Sequence, residues 1–472
     1  MLQSHIQSVL SDNLGHTPTD DQSSAIASLA SYVIENNNES IFILKGYAGT
    51  GKTSLINALV KTLESFRFNA ILLAPTGRAA KVLSSYSGRQ SFTIHKKIYR
   101  QKSSGDGTGI FSLNYNRERE TFFIVDEASM INNETVEKSI FGSGRLLDDL
   151  VEFVYSGHDC KLVLVGDTAQ LPPVGSAYSP ALDESQVGLY GFGIKSAELR
   201  QVVRQSESSG ILMNATGIRV MLDEGSLSDP GFVTGPYNDI IPLSGESLME
   251  ELEASYSFCG VEGTSIIVNS NRMANRYNQG IRNRILMRED EISSGDMIMV
   301  VKNNYFWAGD DENIDFIANG DIARIRKIKG YEEMYGYRFA DMTLEFPDYN
   351  TELEVKVNLE TLGSDSASMT SDQNRDIFQK VQSDYLHLKT RKKQFDAIKN
   401  DPYFNALQIK FAYAITCHKA QGGQWERVFI DQGMFNRAPV TADYLRWLYT
   451  AVTRATDRLY LVNFDHRFLD QH

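Results

Sequence analysis

Gly46-Tyr47-Ala48-Gly49-Thr50-Gly51-Lys52-Thr53 has the spacing of a phosphate-binding loop: Gly, four residues, then Gly-Lys-Ser/Thr. Its surroundings agree. Ile41-Phe42-Ile43-Leu44 ahead of it reads as a buried strand, and Ser54 to Leu63 behind it reads as a helix. Glycines let successive backbone N–H groups curl around phosphate oxygens, which the positive end of the next helix also favours. Gly46, Ala48, Gly49, Thr50, Gly51 and Ser54 are the expected cradle. Lys52 would reach the β/γ-phosphates as a point charge, and the Thr53 hydroxyl would ligate Mg²⁺. A glycine turn before an ordinary helix is the plainer reading, but it leaves the register of strand, Lys and Thr unexplained. The stretch implies a nucleoside triphosphate site and leaves open what the energy drives.

Working outward, 472 residues exceed one hydrophobic core and suggest roughly two to four domains. Hydrophobic residues at 42% and charged residues at 23% describe an ordinary globular chain. The apolar runs stop short of a membrane span, and Met1-Leu2-Gln3-Ser4-His5 does not begin a signal peptide, so no membrane partner is expected. Cys160, Cys259 and Cys417 are too scattered for a zinc site or a disulfide framework, which points to a reducing cytosol. A formal charge of −13 argues against a surface coated with cations. It does not exclude nucleic acid in a locally basic groove, because affinity depends on the charges near the phosphates.

Thr121-Phe122-Phe123-Ile124-Val125-Asp126-Glu127 is an apolar strand ending in two carboxylates. The first acid of such a pair usually holds Mg²⁺, and the second can take a proton from attacking water. Leu162 to Asp167 is another buried strand, followed by Thr168-Ala169-Gln170-Leu171-Pro172-Pro173. Gln170 would lie beyond the carboxyl end of a parallel strand, where such sheets place ligands. Taken alone, Gln170 is equally compatible with an ordinary loop, and Asp126-Glu127 with a strand-end turn. Strand and helix alternate, so an α/β lobe with a parallel sheet covered by helices is expected.

With these in place the chain resembles the superfamily 1 helicases of the RecD-like (Dda-like) branch. Pro18-Thr19-Asp20-Asp21-Gln22 resembles the adenine-reading Q motif, Gly46 to Thr53 motif I, and Leu73 to Lys81 motif Ia. Thr93-Ile94-His95-Lys96 is similar to the short motif that follows, Val125 to Met130 to motif II, and Gly166 to Val174 to motif III. Leu199 to Gln205 looks like motif IV, Thr416 to Gly422 like motif V, and Tyr449 to Ala455 like motif VI. The matches fall in the family's order over nearly the whole chain.

The resemblance implies two RecA-like P-loop lobes, parallel sheets flanked by helices. A small β-hairpin is inserted in the first, and an SH3-like β-barrel with a helical arm in the second. It implies ATP and Mg²⁺ as cofactors, with Gln22 and Gln421 at the ATP site and Thr53 and Asp126 on the metal. Lys52, Glu127, Gln170, Arg204 and Arg454 would be catalytic, both arginines arriving from the second lobe. A fork-shaped, permanent cation suits the charge that develops on a transferring phosphoryl group. On its own, Arg454 reads equally as a helix-surface arginine. Pro75, Thr76, Arg78, Thr93, His95, Thr416 and His418 would meet single-stranded DNA through its backbone. His95 also suits a helix cap, and His418 a packed polar residue. Arg272, Arg276, Arg282 and Arg284 read either as local positive charge or as a solvated helix face.

Tyr99 to Phe111 has a Ser/Gly/Asp centre, the pattern of a hairpin tip or of a mobile loop. In the branch it resembles, a hairpin here is a pin that splits the duplex, with Phe111 or Tyr115 stacking on the junction. Short strands from Gly295 to Val357 with a turn at Asn319-Gly320 suit the barrel, and Asp372 to Asn400 reads as one long polar helix bearing Lys389, Arg391, Lys392 and Lys393. That helix is read as an arm reaching toward the pin or the strand, or as a solvated connector. The expected boundaries are 1–195 for the first lobe with 97–120 as the pin, 196–291 with 405–472 for the second, and 292–404 for barrel (292–360) and arm (361–404). The expected activity is an ATP-dependent helicase moving 5′ to 3′ on single-stranded DNA and acting at single-strand/duplex junctions. It would work as a monomer in a bacterial or phage-infected cytosol, beside single-strand-binding or replication proteins. An RNA helicase or a RecD-like subunit of a recombination or nuclease complex remains the alternative.

Overall fold

Strands whose alternate side chains are both apolar must be covered on both faces, and that requirement shapes the first lobe. The computed structural model describes residues 2–35, 39–101, 111–134, 142–203, 209–308, 314, 316–433 and 439–469. Six parallel strands lie in the order Ser91–Thr93, Asn69–Ala74, Thr121–Val125, Lys161–Gly166, Ser40–Gly46, Gly193–Leu199. Phe42, Leu44, Phe122 and Val163 pack on one side beneath helices Leu2–Leu14, Asp20–Ile34 and Lys52–Ser65. Ile41, Ile43, Phe123 and Leu162 pack on the other. Because Thr121–Val125, Lys161–Gly166 and Ser40–Gly46 are neighbours, Asp126-Glu127, Asp167 and the phosphate-binding loop leave the sheet side by side. The edge strand runs to Leu199, four residues beyond the expected end of this lobe.

A second parallel sheet has the order Ala414–Thr416, Thr264–Val268, Trp425–Asp431, Ala455–Val462, Ile240–Leu243. Between its strands the chain builds a closed barrel from Met297–Val300, Ile322–Met334, Tyr337–Phe346, Thr351–Asn358 and Leu407–Phe411. The last of these had been expected in the second lobe; the chain instead closes the barrel on its way back to the sheet. Tyr335 (φ +58°) and Gly336 (φ +72°) make the tight left-handed turn of the longest hairpin.

The arm is two helices, Ser371–Asp384 and Arg391–Lys399, rather than one. Thr390 starts the second by accepting the Lys393 N–H at 3.3 Å, a cap that competes with helix continuation. Ile377, Val381 and Ile398 fold the pair back onto Tyr337 and Phe339 of the barrel. The barrel also leans on the first lobe. Lys81 pairs with Asp348 at 2.9 Å, and a Cβ on Gly77 would lie 2.1 Å from the Tyr349 hydroxyl, so only glycine permits that approach.

Barrel and second lobe are joined by Asp296, which is fully buried. Arg282 donates to it from Nε at 3.1 and 3.2 Å, Arg288 donates from Nη1, and Tyr413 donates at 2.7 Å. Arg282, 2% exposed, also lies 4.3 Å over the Phe411 ring. It is therefore a structural ion-pair partner and does not contribute to a basic surface; Arg272, Arg276 and Arg284 are the exposed members of that group. Removing one partner of a buried pair strands the other charge. Asp296→Ala is expected to cost about 3–5 kcal/mol, read as a lowered urea midpoint; an unchanged midpoint would show that the cluster holds nothing together.

Candidate active site

The phosphate-binding loop turns through left-handed Gly49 (φ +75°) and Gly51 (φ +85°), and Gly51 starts the helix Lys52–Ser65. The loop is gripped from below by Gln22, whose Nε2 donates to the Thr50 carbonyl at 3.0 Å while its Oε1 accepts the Thr19 N–H at 3.1 Å. Gln22 is fully buried, and a Cβ on Gly51 would come within 2.5 Å of its amide. One hydrogen and one lone pair of the amide thus shape the loop, which leaves a second donor and a second acceptor position on Gln22. Lys52 Nζ curls over the loop onto the Gly46 and Tyr47 carbonyls at 2.6 and 2.9 Å, and lies 3.9 Å from Asp167. Thr53 is half-buried and Ser54 exposed.

Asp126 and Glu127 sit where the neighbouring strand ends. Glu127 adopts left-handed backbone angles (φ +53°), a conformation that costs free energy and tends to be kept at sites of function. Burial pushes the Asp126 carboxyl well above the usual range and the Glu127 charge adds to this, while the Glu127 N–H and Lys52 pull it back. A buried carboxyl short of positive charge, with a threonine hydroxyl across the loop, is a donor set that suits a hard divalent cation. Among the described residues no group of three His, Cys, Asp or Glu side chains could hold a metal unaided.

The second lobe reaches this cleft through the helix Ala442–Val452. The Tyr449 hydroxyl accepts the Ala48 N–H of the loop at 2.8 Å and donates to Asp167 Oδ2 at 2.7 Å. The next residue, Thr450, accepts the Leu171 N–H at 2.8 Å, and Gln421 Nε2 donates to the Leu171 carbonyl at 2.6 Å. Gln170, 5% exposed, carries a side-chain Oε1 with no hydrogen-bond partner. Arg454 is 4% exposed, and its acceptors among the described residues are all neutral: the Thr450 carbonyl at 2.9 Å, Thr453 Oγ1 at 3.1 Å and the Gly423 carbonyl at 3.3 Å. Buried charges are ordinarily paired, so this guanidinium is suited to an anion. Arg204 lies outside the described residues.

Tyr449 was missed as a functional residue. An aromatic on an apolar helix reads as core, and its ring is core; only the cross-lobe partners reveal the work of the hydroxyl.

The expected strand contacts divide. Pro75 and Thr76 follow strand Asn69–Ala74, and Thr93 ends Ser91–Thr93. Thr76 and Thr93 cap helices by accepting the N–H groups of Ala79 and Lys96, both at 3.2 Å. Capping uses only the oxygen, which leaves each O–H able to donate to a phosphate. Thr416 stands at a helix start with no side-chain cap bond, and His418 beside it is exposed. Arg78 turns toward the second lobe: it lies 3.9 Å over the Trp425 ring and donates to the Gln424 carbonyl at 3.3 Å. His95 packs against Tyr99 and Phe316 at 5.6 and 6.5 Å, and burial drags its pKa down to about 4, so its ring is neutral.

The hairpin strands Tyr99–Gln101 and Phe111–Leu113 are paired, while its expected tip, 102–110, lies outside the described residues. The Phe111 ring meets Tyr305 of the barrel at 4.5 Å. Tyr115 is 70% exposed beneath the Arg100 guanidinium.

Two family descriptions match the chain: an AAA domain over residues 18–220 and a UvrD-like helicase C-terminal domain over 411–462. The ATP-dependent RecD2 DNA helicase of Deinococcus radiodurans is 25% identical over 448 residues, which cover 89% of this chain and 46% of that one. The ATP-dependent DNA helicase dda of Enterobacteria phage T4 is 23% identical over 439 residues, 87% of this chain and 92% of that one. A Bacteroides Pif1 helicase in complex with ADP-AlF3 and ssDNA aligns over 94% of each chain at 14% identity, with a TM-score of 0.47. With the phosphate-binding loop, the acidic pair and the buried arginine helix in one cleft, and RecD2 and Dda matching over most of the chain, the protein belongs to the superfamily 1 helicases, in the group that holds RecD2 and Dda.

Proposed function

We propose that this chain hydrolyses ATP to travel along single-stranded DNA, 5′ to 3′, and to separate duplex DNA. The observation that carries this reading is the bonding of Tyr449 and Thr450 to Ala48, Asp167 and Leu171. A nucleotide site completed by a second lobe makes its occupancy a matter of lobe position, and that couples hydrolysis to motion. RecD2 and Dda are both DNA helicases by name, which favours DNA over RNA; the polarity rests on the same kinship.

In this reading Lys52 and the loop amides hold the phosphates, and Glu127 accepts the proton of the attacking water. Arg454, with Arg204, meets the charge on the transferring group, and Gln170 and Gln421 sense the nucleotide. Thr53 and Asp126 would hold Mg²⁺, whose chemistry is to neutralise the β/γ-phosphate oxygens. Pro75, Thr76, Thr93, Thr416 and His418 form the strand face.

Purified protein should show ATPase activity that single-stranded DNA stimulates; the absence of stimulation would sink the reading. Lys52→Ala should lower kcat on the order of 10²–10³-fold, as loss of a phosphate-stabilising donor does. Glu127→Gln should keep ATP binding while turnover falls on the order of 10²–10⁴-fold, and full activity would remove Glu127 from the base role. Tyr449→Phe keeps the ring and deletes both cross-lobe hydrogen bonds, so DNA-stimulated kcat should fall roughly tenfold, and the urea midpoint should also drop because Asp167 and the Ala48 N–H lose a buried partner. A kcat equal to wild type would mean the hydroxyl only packs. Duplexes with a 5′ or a 3′ overhang decide polarity, and unwinding from the 3′ overhang alone would reverse that part of the proposal.

A further inference from the structure

A groove of about 530 Å³ lies between the hairpin root, the barrel and the end of the arm. Phe111 at the root of the hairpin forms one wall, Lys302, Tyr305 and Phe306 from the barrel form the floor, and Lys399 and Phe404 from the end of the arm form the other wall. Two of its features call for an occupant. Lys302 is exposed, and its one partner among the described residues is neutral, Asn374 Oδ1 at 3.2 Å. Lys399 makes no ion pair among the described residues. Between the two cations lie aromatic faces, with Phe404 39% exposed.

The arm extends the same chemistry. Helix Arg391–Lys399 ends at the groove and begins with Arg391, Lys392 and Lys393, preceded by Lys389. All four are exposed, and none is ion-paired among the described residues. Asp396 is the carboxylate on the intervening turns. At 1.5 Å per residue the cations span about 12 Å, enough for two phosphates of an extended strand. In a chain of net charge −13 such a run is not the average surface.

We propose that this groove and the cationic side of the arm bind single-stranded nucleic acid, namely the strand displaced at the fork. Cations at phosphate spacing with interleaved aromatic rings hold single strands without reading sequence. The location selects which strand. The groove starts at Phe111, where the hairpin leaves the first lobe, whereas Thr76, Thr93 and Thr416 serve the translocated strand on the lobes. The assignment rests on the helicase reading for the word displaced; the affinity for a single strand does not.

The test uses forked DNA with a 5′ tail for loading and a 3′ tail on the displaced strand, the latter carrying a photoreactive thymidine. Wild-type crosslinks should map to peptides containing Tyr305, Phe306 or Phe404, and the charge-reversed pair Lys302→Glu with Lys399→Glu should lose them roughly tenfold. The pair should retain DNA-stimulated ATPase and lose any advantage that the 3′ tail gives to unwinding. Crosslinks mapping to the lobes, or a pair that keeps both the crosslinks and the tail advantage, would overturn the proposal. So would a fluorescent acidic peptide that binds wild type and not the pair while tail dependence is unchanged, since the groove would then serve a protein partner. Crosslinking in the groove by a protein with no DNA-stimulated ATPase would sink the motor reading and leave the groove standing as a single-strand site.

Discussion

One hydroxyl stands between the two lobes. Tyr449 takes a hydrogen from the Ala48 N–H of the phosphate-binding loop and gives one to Asp167, at the end of the neighbouring strand. A phenol fully buried and bonded at both ends fixes where its helix lies; that helix also carries Thr450 to Leu171, and Arg454 just past its end is bonded back to the Thr450 carbonyl. The position of the second lobe is thereby written into the first lobe's nucleotide loop. Anything that alters the geometry of the loop must alter the seat of Tyr449.

The barrel depends on a different kind of constraint. Asp296 gathers two guanidiniums and a phenol in a dry site, which ties barrel to lobe by charge and geometry together. Tyr349 and Asp348 then brace the barrel against the helix Gly77–Ser87 of the opposite lobe. The barrel therefore touches both halves of the motor, and through Phe111 and Tyr305 it also touches the hairpin root. Lys399 at the end of the arm shares a groove with Phe111 at the hairpin root.

Much of this was readable from the residues alone, because some spacings admit few alternatives. The phosphate-binding loop needs its glycines, Lys52 and Thr53 in one order, and strands such as Leu162 to Val165 are apolar on both faces. Side chains whose role depends on a distant partner were not readable. Arg282 looked like its exposed neighbours until Asp296 closed on it. The grip of Gln22 on Thr50 and Thr19 was not readable from its motif. Phe111 was legible as an aromatic near a hairpin tip, while its partner Tyr305 lies nearly two hundred residues away and shares no pattern with it. The break in the arm hinged on Thr390, whose capping bond competes with helix propagation by a margin too small to read from composition.

The central claim is that nucleotide state and strand binding are coupled through the shared cleft. Coupling of this kind is a free energy and must be reciprocal. The most direct measurement is the Kd for a single-stranded DNA oligonucleotide without nucleotide, with ADP and with a non-hydrolysable ATP analogue. The account predicts values that differ by about 5- to 150-fold between nucleotide states, with a matching change in analogue affinity when DNA is present. Three equal values, from a protein that binds both ligands, would contradict it.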